Sequence, residues 1–207
     1  MVFMKDLREI YENRRAVNFF DKSKKIEDKT LEDIINLAVL APSAFNLQPW
    51  KIIAVKSEDA KKKLCPLAFN QPKILEAPVT LIITADKNGF LPDKKAWSTF
   101  EAQAGKESTE GAKQFAHSLY GTSEEKKIKF AESNAGLLGM SIMYAAQYYG
   151  VDSHPINGIH FDGIRKEFSL DEDTNVVMLI TLGYFDRSKQ LYPRLKRYQY
   201  SEIVTEV

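Results

Sequence analysis

Ala41-Pro42-Ser43-Ala44-Phe45-Asn46-Leu47-Gln48-Pro49-Trp50-Lys51 is the stretch whose reading decides the fold. It follows a helical pattern over Thr30–Leu40 and precedes a short apolar run, Lys51–Val55, that reads as a strand. Pro42 ends the helix, because the residue before a proline is pushed out of the α region. Pro49 fixes the backbone again, just before Trp50. A connector this stiff holds Ser43, Asn46 and Gln48 in set directions beside two aromatic rings. That suits a planar, heteroatom-rich ligand, and it equally suits a well-capped turn over a core tryptophan.

The totals narrow the choice. A chain of 207 residues is expected to form one domain and to bury a large core without staples. Hydrophobic residues at 44% and charged residues at 28% are those of an ordinary globule. With 29 basic and 28 acidic residues the net charge is +1, so no global field favours nucleic acid or an anionic membrane. Cys65 is the single cysteine, which excludes an internal disulfide and a cysteine-based zinc site. Apolar runs such as Val176–Leu182 are far too short to span a bilayer, and Met1–Asp6 has no secretory h-region. A soluble, cytoplasmic protein is expected.

Outward from the opening stretch, Met4–Asn13 carries Leu7, Ile10 and Tyr11 at helical spacing, and Ala16–Asp21 reads as extended. Thr30-Leu31-Glu32-Asp33 offers an N-terminal capping signal, with Leu31, Ile34, Ile35 and Ala38 on one face. Ser57–Leu64 reads as a short, lysine-rich, exposed helix, and Ile74-Leu75 as another that Pro78 stops. Val79–Ala85, Val151–Ile156 and Asn175–Phe185 read as strands. Residues 87–121 hold scattered glycines and two helical patterns, Trp97–Ala104 and Gly111–Leu119, and are expected to form a mobile excursion from the core. Ser123-Glu124-Glu125 opens the longest helix, which ends at Gly150. Its middle, Ala135–Ala146, is apolar nearly all round and rich in small residues, the pattern of a helix buried in a core or between subunits. A further small helix is expected over Asp162–Phe168. The tail, Pro193–Val207, is basic and then strand-like, without an obvious partner in its own subunit. Helices alternate irregularly with three or four strands, so the class is α+β rather than a doubly wound βαβ series.

Several chemistries are absent. There is no Gly-x-Gly-x-x-Gly, no Walker sequence and no Gly-x-Ser-x-Gly elbow. His117, His154 and His160 show no metal-ligand spacing, so no metal is expected. Cys65, beside Pro66, reads as an incidental buried thiol. Four clusters remain: Arg14-Arg15, the opening stretch, Phe69-Asn70-Gln71-Pro72-Lys73, and Arg194-Leu195-Lys196-Arg197. Guanidinium forks match phosphate oxygens bidentately. Taken singly, each cluster also reads as a solvated charge or a turn; together they describe a phosphate-bearing ligand with a flat polar ring.

In that order, and with Pro155-Ile156-Asn157-Gly158 before the basic tail, these clusters resemble the FMN-dependent nitroreductase family over essentially the whole chain. The nearest likeness is to its oxygen-insensitive NAD(P)H nitroreductases. The resemblance implies a mainly antiparallel sheet flanked by helices, a long buried helix at a homodimer interface, and a tail over residues 193–207 that reaches the partner. It also implies that Arg14 and Arg15 hold the FMN phosphate with Arg197 and either Arg194 or Lys196, and that Ser43 touches the phosphate-ribityl region. Pro42, Ser43 and Asn46 would serve a flavin shared between subunits. Asn70 would bind the pyrimidine edge, Lys73 would lie near N1 and O2, and Gly158, with Asn157 alongside, would approach N5. Ala16, Asn18, Ala44, Pro155 and Ile156 complete the implied cofactor contacts; Lys73 and Gly158 are the catalytic candidates, and Phe45 and Phe115 the substrate-pocket candidates.

Four positions depart from the family pattern. Ala16 stands where a serine is common, Asn18 where a basic residue is common, Asn157 where a glutamate is frequent, and Phe45 where a smaller polar residue occurs. The implied activity is reduction of nitroaromatics, quinones or similar electron-poor acceptors by NAD(P)H, in a two-electron ping-pong cycle through flavin N5. The alternatives are another flavin reaction on the same fold (enone or dihydropteridine reduction, or reductive dehalogenation) and a flavin-binding protein without turnover.

Overall fold

The computed structural model describes residues 6–207, so the expected helix start at Met4 and the reading of the first five residues lie outside the described residues. Helices α1 (Leu7–Asn13) and α2 (Asp28–Ala38) lead to a 3₁₀ turn at Ala44–Asn46 and strand β1 (Trp50–Val55). Helices α3 (Glu58–Leu67) and α4 (Lys73–Glu76) precede β2 (Val79–Asp86); α5 (Ala96–Ala104), α6 (Lys106–Tyr120) and α7 (Glu124–Tyr148) follow. Strand β3 (Asp152–Ile156), α8 (Phe161–Glu167), β4 (Thr174–Gly183) and α9 (Tyr200–Ile203) complete the chain.

The strands form one antiparallel sheet in the order β1-β2-β4-β3, which bears out the α+β class. Pairing runs from Trp50 opposite Ala85 at one edge to Ile156 opposite Leu179 at the other. β2 is buried along all but its last residue, so both of its faces carry apolar side chains. Alternation along it splits the core. Leu81 and Ile83 join α2 and α7, whereas Ile82 joins Leu64, Ile74 and Ile164 of α3, α4 and α8.

α7 begins where Ser123 accepts a hydrogen bond from the Lys126 N–H, with Glu124 and Glu125 complementing the helix dipole. Its buried residues Ala131, Asn134, Ala135, Leu138, Ile142 and Ala145 recur at helical spacing and form one stripe. The opposite side stays open in the single chain. Leu137 is 49% exposed, and a Cβ added at Gly136 would meet nothing. Of the expected burial in a core or between subunits, the single chain accounts for one face of α7.

Four further expectations need correction. The Thr30 capping signal falls inside α2, which starts at Asp28 after Glu27 with no side-chain cap. Burial of Leu31, Ile34 and Ala38 and the Lys29–Asp33 ion pair at 2.6 Å hold this helix instead, and it stops well before Pro42. α6 runs straight through Gly111 from Lys106, since Gly105, at φ +80°, supplies the break before it. Residues 87–121 are no excursion from the core: Phe90, Trp97 and Ala116 are buried within the main cluster, and the Trp97 indole N–H bonds the Leu91 carbonyl at 3.0 Å. The tail does not form a strand. It ends in α9, capped reciprocally by Gln199 and Glu202, and Arg194 ties it to its own α1 through the Glu12 carbonyl at 2.6 Å.

Integration of residues 87–121 predicts that Trp97 fluorescence and backbone circular dichroism lose structure in one coincident urea transition. Phe90→Ala should lower stability by about 3–5 kcal/mol as read from that transition. An earlier, separate Trp97 transition would contradict the shared core.

Candidate functional site

The site's positive end is built where α1 stops. Arg14 is the C-cap residue of α1 and Arg15 follows it; the next residues extend alongside β3, with Ala16 bridging Ser153. The returning tail closes a cavity of about 220 Å³, lined by Arg14, Arg15, Ala16, Asn18, Arg194 and Arg197 among others. Arg15 bonds the Tyr192 carbonyl, and Arg194 also bonds the Arg14 carbonyl at 3.1 Å. Lys196 does not line this cavity. Among the described residues, no carboxylate forms an ion pair with any of the four arginines. Burial pushes the Arg14 pKa down, and Arg194, Arg197 and Arg15 add to this against an opposing effect from Tyr144. Clustered guanidiniums without counter-charge, Arg14 among them partly desolvated, make an arrangement of the kind that suits a polyanion.

A second group gathers at the start of α4. Lys73 is only 9% exposed, and its ammonium donates to the Gln71 side-chain oxygen at 3.0 Å. Burial pushes the Lys73 pKa down, partly offset by Glu76. Gln71 donates in turn to the Gly158 carbonyl at 3.2 Å, so Lys73 and Gly158, expected from sequence to act together, are joined. Asn157 and Gly158 follow directly on Pro155 and Ile156 at the end of β3 and are exposed; a Cβ added at Gly158 would meet nothing, which leaves room for a flat ligand over that backbone. His154 lies within electrostatic reach of both groups. Its ring nitrogen Nδ1 lies 3.0 Å from the Val17 carbonyl. Burial first, then the charges of Lys73 and Arg14, against opposing backbone hydrogen bonds, lower its pKa to about 4.

The opening stretch forms a third group on other elements. Phe45, Asn46 and Gln48 have φ of 51°, 55° and 45°, and Phe69 and Asn70 have 53° and 55°. Left-handed backbone at non-glycine residues costs free energy and persists only where the surroundings hold it, commonly at functional sites. Here the holders are visible. The buried Asn134 of α7 accepts from the Ala44 N–H at 2.9 Å, and Ser43 accepts from the Gln48 N–H at 3.0 Å. Pro49 packs on Gly89 so closely that an added Cβ would lie 2.6 Å from the proline Cβ. The Phe45 ring stands 6.3 Å from that of Phe115 and 5.8 Å from that of Trp97. Within one chain this stretch and the arginine cradle line different cavities: Ala44 borders one of about 370 Å³ between α6 and α7.

Sequence reasoning singled out neither Gln71, His154 nor Asn134 as a working residue. Gln71 lay within the quoted Phe69–Lys73 cluster, and an amide in the apolar run of α7 was the available signal for Asn134. Cys65 is buried, and burial raises its thiol pKa, as expected of an inert residue. No cluster of metal-ligating side chains exists among the described residues.

Comparison with known proteins agrees with this architecture. Residues 11–184 match the Nitroreductase family, and the chain belongs to it. The YdgI protein of Bacillus subtilis, provisionally named an NAD(P)H nitroreductase, is 29% identical over 189 residues, covering 88% of this chain and 90% of its own. A provisionally named nitroreductase from Exiguobacterium sibiricum, solved in complex with FMN, superposes with a TM-score of 0.85 at 26% identity, over 97% of each chain. CLA-ER, an enone reductase of gut-bacterial fatty acid saturation metabolism, superposes at 0.84 with 26% identity, over 99% of each chain.

The half-buried His154 predicts a pH dependence with a definite sign. Its folded pKa lies below the ordinary 6.5, so between about 6.5 and 4 the unfolded chain takes up a proton that the folded chain refuses. Stability is therefore lost as pH falls through that window. His154→Gln should flatten this part of the stability–pH curve relative to wild type, and the His154 imidazole should titrate by NMR near pH 4.

Proposed function

We propose that this chain is an FMN-dependent NAD(P)H oxidoreductase that reduces nitroaromatics, quinones or similar electron-poor acceptors, acting in the cytoplasm as a homodimer with the cofactor at the subunit interface. The observation that carries the reading is the pairing of an arginine cradle lined by no carboxylate with a buried Lys73 that makes no ion pair among the described residues. Such a pair suits one ligand that is anionic at a phosphate and again at a ring edge. FMN is that kind of ligand. When bound it would accept a hydride from NAD(P)H and deliver it to the acceptor in a ping-pong cycle.

The protein's part is binding, orientation and field. Arg14, Arg15, Arg194 and Arg197 would hold the phosphate; Ala16 adds no hydroxyl there, and Asn18 adds no charge. Asn70, Lys73, Asn157 and Gly158, with Pro155 and Ile156 behind them, would hold the ring, Lys73 favouring negative charge at its pyrimidine side in a low-dielectric setting. Pro42, Ser43, Ala44 and Asn46, on a separate face of the chain, would complete the partner subunit's site. The open side of α7, with Leu137 exposed, supports the dimer. Phe45 and Phe115 would wall the acceptor pocket. This apolar wall, with the enone reductase as a structural neighbour, also favours a conjugated enone as acceptor.

Purified protein should be yellow with bound FMN and bleach on anaerobic addition of NADH or NADPH; a yellow protein that neither bleaches would be a binding module without turnover. Arg14→Ala should weaken FMN binding by about 10-fold to 100-fold, the worth of a charge-assisted hydrogen bond. Lys73→Ala should slow flavin reduction by about 10-fold or more in stopped flow, with a smaller loss of FMN affinity. A flavin-loaded monomer in sedimentation would overturn the dimer.

A further inference from the structure

We infer that Gln71 is a positioning residue: its side-chain amide holds the Lys73 ammonium and the Gly158 peptide in one fixed relation. The catalytic meaning of this strut rests on the FMN reading above, but its geometry does not. The two groups it joins come from distant parts of the chain, the start of α4 and the loop after β3. The Gln71 side chain accepts from Lys73 at 3.0 Å and donates to the Gly158 carbonyl at 3.2 Å. A lysine ammonium only donates and a carbonyl only accepts, so the amide is satisfied in one orientation alone.

Gln71 is itself held firmly. Its N–H donates to the Ala68 carbonyl at 3.2 Å, and its own carbonyl accepts from the Ile74 N–H at 3.1 Å and from the Cys65 thiol at 3.8 Å. Phe69 and Asn70, both left-handed, turn the chain just before it. The groups at the two ends of the strut need this support. Lys73 is buried without an ion pair among the described residues; Glu76 acts on it from its own helix, and His154 faces it from β3 as a neutral ring. Gly158 has the backbone freedom of glycine and an open flank, so a bond at its carbonyl limits the rotation that would turn the adjoining peptides away. One amide thus sets the direction of a charge and of a backbone donor together, the coupling that accurate alignment of a planar ring requires.

The test compares Gln71→Leu, which removes both bonds, with Gln71→Glu, which keeps a partner for Lys73 but presents no donor to Gly158. In the full-length protein without FMN, competitive acylation read by mass spectrometry measures the titration of Lys73. It should move about one pH unit downward in the leucine variant and about one unit upward in the glutamate variant. In the FMN-loaded protein both variants should reduce about 10-fold more slowly with NADH, and the glutamate variant should also shift the flavin midpoint potential to a more negative value. A Lys73 titration that is the same in wild type and both variants would overturn the inference, as would an unchanged reduction rate in both. If the leucine variant fails to fold by circular dichroism, the glutamate variant decides alone. Failure to take up FMN would overturn the flavin reading, while the Lys73 titration still decides the strut.

Discussion

The packing of α7 across the β2–β4 pair is the constraint on which the other elements depend. β2 is buried on both faces, so it must be covered twice, once by α7 with α2 and once by α3, α4 and α8. Burial of each large aliphatic side chain in these layers is worth about 1.5–3 kcal/mol. Once α7 is laid down, Asn134 stands where it can seize the Ala44 N–H, and the Gly89 turn receives Pro49 from the other side. The elbow over residues 43–48 is thus clamped between helix and sheet. The same sheet carries Gly158 to the end of β3, within reach of Gln71.

The site itself is assembled against the local preferences of the chain. Among the described residues, five of the six non-glycine residues with positive φ lie in the two loops over residues 45–48 and 69–70. The arginines at the end of α1 face one another rather than carboxylates, and Lys73 is buried beside a neutral amide. Each of these features costs free energy that the surrounding packing must offset. His154 fits the same logic: kept neutral by burial and by two neighbouring cations, it adds polarity without weakening the positive field.

Secondary structure was legible wherever burial and spacing agreed. The four strands and the long helix opened by Ser123 lie close to where their patterns indicated, because alternation and 3.6-residue periodicity report which face meets the core. Misreadings arose where a local signal competed with packing. Thr30 is a good capping residue, yet α2 begins two residues earlier, with its Leu31, Ile34 and Ala38 face buried. Gly111 marks a break in sequence, yet nothing crowds it and the helix continues. Residues 87–121 looked loose because their core residues, Phe90, Trp97 and Ala116, are widely spaced; only the fold brings them together.

By itself the sequence determined the α+β class, the family, and the residues that carry charge, since composition, periodicity and an ordered set of motifs survive without coordinates. The tertiary structure alone decided which of those charges meet. It put Arg194 and Arg197 into the cradle and left Lys196 out, separated the Ser43–Asn46 elbow from that cradle, and joined Lys73 to Gly158 through Gln71. The reason is physical. A hydrogen bond between residues 87 positions apart has no trace in local spacing; it exists only after the sheet and α7 have brought the two loops to the same place.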